Sequence, residues 1–228
     1  MNIVENPGSY SVRDFISFMD EVYFRLFVRQ FEAWWPAHLL MLALGIAIIV
    51  LACMGKIRTL GGGLAIPFAF CAVTFHFQLY AELTPIGKFF GWAFLIQIPL
   101  ILIWAFVTKS RETFRPAVHT ITGAAIALFA LFGYPLLALL AEREWQGAAY
   151  FGMAPDPTIC FFLGIALICA RPVWLLLLLP IPILWTITTA ATLDVFEAPF
   201  AMTLPVISAI TVVAATWKAI SPRPSSGN

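Results

Sequence analysis

The chain has 228 residues, of which 61% are hydrophobic and 11% charged, with a formal net charge of +1 and a mean hydropathy of +0.92. A soluble domain carries roughly 25% charged residues, so too little polar side chain is present to cover a water-facing surface. The same arithmetic excludes a disordered segment and a basic nucleic-acid binder. What remains is an all-α, polytopic transmembrane helical bundle.

Residues 1–35 form a first element. Phe15, Phe18, Met19, Val22 and Leu26, with Tyr23, Phe27 and Phe31 beside them, recur at helical spacing, while Glu21, Arg25, Arg29 and Glu32 take the other face. Ser11 followed by Asp14 resembles a capping box. Such a helix, ending in Trp34-Trp35-Pro36, fits one lying in the membrane interface with a tryptophan anchor at the turn. It serves either as an anchor for the first span or as a lid or docking surface. Its charges also exclude a cleavable signal peptide here, which needs an uncharged apolar stretch.

Residues 36–219 carry the bundle. A spanning helix needs about 20 mostly apolar residues, and seven segments approach this: Pro36–Cys53, Leu60–Leu79, Phe89–Val107, Val118–Leu140, Thr158–Ala170, Val173–Ala191 and Pro199–Trp217. The fifth is short and separated from the sixth only by Arg171-Pro172, which leaves six as the alternative count. Pro67, Pro99, Pro135, Pro180, Pro182 and Pro205 fall inside these segments, and the close pair should break the sixth. Residues 220–228, rich in Pro and Ser, read as a disordered tail.

Charge placement gives an orientation. Lys56, Arg58, Lys109, Arg111, Arg115, Arg171, Lys218 and Arg223 collect on one side when loops alternate, with Glu112 the lone acid there; Glu82, Glu142, Glu144, Asp156, Asp194 and Glu197 collect on the other, with only Lys88 and Arg143 as positive charges. Cytoplasmic loops are enriched in Lys and Arg, so the chain is expected in the bacterial inner membrane, N-terminus outside and C-terminus cytoplasmic. Arg13, Arg25 and Arg29, ahead of the first span, run against the rule.

The deep spans contain no Asp, Glu, Lys or Arg. The polar residues left are His76 and Gln78 in the second span, Gln97 in the third, and Thr186, Thr188, Thr189 and Thr192 in the sixth. Topology brings His76, Gln78, Tyr80, Gln97, Tyr134, Asp156, Thr188, Thr192 and Asp194 to a candidate polar vestibule opening outward. The plainer reading makes His76 and Gln97 bridges between helices and bonds the threonines to their own carbonyls. Cys53, Cys71, Cys160 and Cys169 show no CxxC spacing and read as packing residues. No catalytic motif, metal-ligand spacing or cofactor fingerprint occurs, so neither catalysis nor a cofactor is expected. The expected partners are the lipid bilayer and either a membrane protein or a second copy of this chain, with no nucleic acid.

Four landmarks recur in order: Trp34-Trp35-Pro36, Leu83-Thr84-Pro85-Ile86, Gly133-Tyr134-Pro135-Leu136, and Phe151 to Thr158 reading FGMAPDPT. On these the chain resembles the bacterial family of multi-pass membrane proteins labelled domain of unknown function 6064. The resemblance implies the multi-pass fold and carries over no site residue. The family pattern often has Cys between the two prolines, where this chain has Asp156. Two functions follow from the residues: a small-solute permease-like protein built around the vestibule, or a non-transporting module that meets a partner through its aromatic N-terminal helix.

Overall fold

The computed structural model describes Arg13, Ile16 and residues 18–108 and 117–220. Ser11, Asp14, Phe15, the loop ions Lys109, Arg111, Glu112 and Arg115, and the tail beyond Ile220 lie outside the described residues. Within the described residues the structure is helical, with no strand.

Helix α1 (Asp20–Ala33) meets α2 (Ala37–Cys53) at 90°, across Trp34-Trp35-Pro36. Then come α3 (Ile57–Leu83), α4 (Pro85–Val107), α5 (Val118–Leu140), α6 (Pro155–Cys169), α7 (Pro172–Leu178), α8 (Pro180–Val195) and α9 (Thr203–Ile220). Four of these, α3, α4, α5 and α9, are long and apolar enough to cross a membrane. The count rises to six if each bent pair, α1 with α2 and α7 with α8, is one span. The seventh expected segment is α6, a shorter apolar helix of 15 residues. At about 1.5 Å per residue it is roughly 22 Å long, less than the ~30 Å hydrocarbon core.

That short helix is the axis of the bundle. Every α6 residue except Ile168 is buried. It crosses α5 where Gly123 and Gly164 face each other, each glycine's Cβ position blocked by the other's carbonyl oxygen; small residues permit such close approach between apolar helices. The Lys218 ammonium of α9 donates to the Leu167, Ile168 and Ala170 carbonyls at 3.0, 3.3 and 2.9 Å, capping the α6 C-terminus. The outer surface of the bundle is apolar, as Leu40, Trp92, Ile103, Phe106 and Val213 show, each at least half exposed.

Prolines shape the path. Pro180 opens α8 after a 49° bend from α7, as the close proline pair predicts. Pro67 precedes a π-helical stretch of α3, Ala72–Tyr80, and Pro135 follows another in α5, Phe129–Gly133. Widened turns of this kind frequently mark functional sites.

Three helices end alike. At α2, the Gly55 N–H bonds to Ala52 and that of Lys56 to Leu51; Glu142 and Arg143 repeat the pattern on Leu139 and Ala138, as do Glu197 and Ala198 on Asp194 and Leu193. This is a Schellman end, whose first non-helical residue takes a left-handed backbone and is usually glycine. Gly55 has φ 66°, whereas Glu142 and Glu197 adopt φ 50° and 53° with side chains that resist it.

Helix α1 folds back over the bundle. Tyr23, Leu26, Phe27, Gln30 and Phe31 are buried. Met19 and Val22, placed on the apolar face by their spacing, are exposed instead. The contact face is centred on Tyr23 because α3, Phe196 and the turn at Trp145–Gly147 form the surface beneath it. Gln30 Nε2 fastens the helix, donating to Thr74 Oγ1 and the Met153 carbonyl, both at 2.9 Å. Arg29 adds an exposed ion pair with Glu82 at 3.0 Å, a contact worth at most about 1 kcal/mol.

Candidate functional site

Covered by α1, the first turn of α6 holds a carboxylate. The extended backbone of Ala154 and the fixed φ of Pro155 start the helix there. Thr158 Oγ1 secures the approach, donating to the Ala154 carbonyl and accepting from the Gly152 N–H. Asp156 is thereby aimed into the bundle and is 7% exposed.

Its two oxygens are met from other helices. Trp185 Nε1 donates to Oδ1 at 2.7 Å; the Tyr134 hydroxyl and Thr189 Oγ1 donate to Oδ2 at 3.1 and 3.3 Å. An indole N–H can only donate, so Oδ1 serves as acceptor, and the positive end of the α6 dipole faces the same group. Tyr23 lines the same small cavity as Asp156 and Tyr134, and Tyr80 packs against Tyr23 and Trp185 with ring centroids 5.9 and 6.2 Å apart. Burial pushes the Tyr23 phenol well above its ordinary range, and the Asp156 charge pushes it further.

His76 lies beyond Trp185, ring centroids 5.1 Å apart, and is enclosed by Phe94, Phe75 and Phe90 at 4.5, 5.4 and 6.2 Å. It is fully buried, and neither ring nitrogen has a hydrogen-bond partner among the described residues. The π-helical turns direct His76 and Tyr80 to one side, with centroids 6.3 Å apart.

Of the residues singled out in the sequence, His76, Tyr80, Tyr134, Asp156 and Thr192 come together in this chamber. Gln97 sits apart, buried against α7, its Nε2 donating to the Leu178 carbonyl at 3.2 Å. Gln78 and Asp194 are exposed, and Thr188 bonds to its own helix at Leu184. Tyr23, Trp185 and Thr189 belong to the chamber but not to the sequence-based set. Trp185 and Thr189, four residues apart on one helical face, carried a signal that an apolar reading of tryptophan hides.

Toward the α1 end a cavity of about 20 Å³ touches Asp156, Tyr134 and Tyr23, room for about one water. Arg143 closes it, its guanidinium carbon 3.7 Å from the Phe24 ring centroid and 5.0 Å from that of Phe200. Burial lowers the Arg143 pKa. Among the described residues no group of three or more His, Cys, Asp or Glu could hold a metal ion.

A buried carboxylate at the head of the central helix, inside an apolar-surfaced bundle, defines a membrane protein with an enclosed polar chamber. The chain belongs to the Family of unknown function (DUF6064), whose profile matches residues 20–226. No curated protein and no solved structure matches it.

Proposed function

We propose that the chain is a permease-like protein of the bacterial inner membrane, N-terminus outside and C-terminus cytoplasmic, that admits a small polar solute to the chamber around Asp156. The observation that carries this reading is Asp156 itself, a carboxylate enclosed by aromatic and hydroxyl groups from α1, α3, α5 and α8. Ionisable groups enclosed in membrane bundles mark substrate or ion pathways. Helix α1 then acts as the lid, with Gln30 as its latch. The reading assigns the chain no catalysis. The alternative, a module docking a partner through its aromatic helix, has less support, because Tyr23, Leu26, Phe27 and Phe31 are already used within the chain.

Thiol labelling tests it. With Cys53, Cys71, Cys160 and Cys169 changed to Ala, His76→Cys in membranes should react with an impermeant reagent added outside, and faster when Gln30→Ala loosens α1. Asp194→Cys, at an exposed position, is the control. Labelling of the control with none at position 76, in either background, removes the permease reading.

A further inference from the structure

Outside Arg143 lies a second, larger cavity of about 570 Å³. Asp20, Glu21, Glu142 and Glu197 line it, and Phe24 and Phe200 form its floor. Arg143 is the one cation in that lining, and the two cavities share it together with both phenylalanines. It is therefore the partition between an acidic outer pocket and the water-sized space ending at Asp156.

The partition is held in an unusual way. Despite four carboxylates in the same lining, Arg143 makes no ion pair among the described residues, and its buried Nε finds no acceptor. It rests on aromatic faces. Guanidinium groups are weakly hydrated and stack well on such rings, so Phe24 and Phe200 form a cation seat that the chain fills with its own side chain. Asp20 and Glu197 also border Arg13 in an adjoining pocket, so four carboxylates face two cations, and long-range attraction from this acidic excess concentrates cations at the pocket.

The helix ends point the same way. Glu142 and Glu197 occupy the left-handed position at which α2 uses Gly55. A side chain there strains the backbone, so the carboxylates are kept at a stability cost.

We propose that this pocket binds a small organic cation with a guanidinium head, which displaces Arg143 from the Phe24–Phe200 seat and so opens the path to Asp156. This names the solute class for the chamber and rests on that reading for its purpose. Its test is separate, since binding at the rim needs no access to position 76.

The probe is methylguanidinium, titrated calorimetrically into the purified full chain in lipid nanodiscs, with sodium at equal ionic strength as control. Removing the internal competitor should tighten binding, so Arg143→Met, which keeps an aliphatic stem, should lower Kd about tenfold. Adding Phe200→Leu should restore weak binding, and Glu142→Gln with Glu197→Gln should weaken it and flatten its salt dependence. Arg143→Ala provides a second vacated seat if the methionine refills it. The proposal fails if both Arg143 variants fold as the wild type does yet bind methylguanidinium no more tightly. It fails equally if sodium gains as much as methylguanidinium.

Discussion

Gln97 on α4 donates to the carbonyl of Leu178 on α7 at 3.2 Å, and that carbonyl lies four residues before Pro182. In an unbroken helix the N–H of residue 182 would satisfy it; proline has none. The glutamine replaces the missing donor from a neighbouring helix, which accounts for its buried Nε2, while its Oε1 has no partner among the described residues.

Gln97→Leu should therefore destabilise the protein by about 1–3 kcal/mol, the cost of an unsatisfied buried carbonyl. Pro182→Ala, added to that variant, restores the N–H and should recover part of the loss. Thermal unfolding in detergent measures both. No recovery would mean that Gln97 acts by packing alone.

Asp156 should be the most sensitive polar position. Asp156→Leu strands the Trp185 indole and two hydroxyls and should cost about 3 kcal/mol or more, since each buried group left without a partner costs about 1–3 kcal/mol. Asp156→Asn keeps an acceptor for one side and should lose less. Unfolding midpoints and the emission of Trp185 are the readouts, and equal losses for the two variants would argue against the network.

On α1, Phe27→Asp should sharply lower the folded yield, since a buried phenylalanine contributes roughly 1.5–3 kcal/mol. Val22→Asp should lose less, because Val22 lies outside the contact with the bundle. If the two behave alike, α1 does not pack as described.

Glu197→Gly should raise the unfolding midpoint, because glycine accepts the left-handed backbone at φ 53° without penalty. A gain of about 1 kcal/mol is expected, together with weaker methylguanidinium binding. A variant of unchanged or lower stability would mean that the glutamate side chain makes compensating contacts.

Orientation is open to a direct check. A reporter that fluoresces only in the cytoplasm should be bright when fused after Asn228 and dark when fused after Trp145. The reverse pair would invert the proposed topology.

Much of the architecture was legible in the sequence. Apolar runs located the helices to within a few residues, and the Pro180–Pro182 pair located the bend, because both signals are local. The site was legible only in part. Topology grouped His76, Gln78 and Tyr80; His76 and Tyr80 lie with ring centroids 6.3 Å apart, while Gln78, between them, is exposed. Asp156 read as a loop acid at the mouth of the vestibule, and its burial was hidden because it depends on α1 folding back from more than 120 residues earlier in the chain. The apolar residues of α1 overlap two stripes, and only the surface beneath selects the one around Tyr23 for contact with the bundle, leaving Met19 and Val22 exposed. The role of Lys218 rests on a single polar atom at the end of a long side chain, which no periodicity reveals, and that of Trp185 on an indole N–H that an apolar reading of its helical face hides.

The Lys218 cap bears on the order of assembly. The carbonyls it closes lie 48–51 residues upstream, so during synthesis the central helix leaves the ribosome with its last turn unfinished. Its completion awaits the final helix. A chain truncated before Lys218 would keep every residue of the axis and the chamber and still lack the part that seals them, so quality control acting on the C-terminus would in effect inspect the middle of the protein.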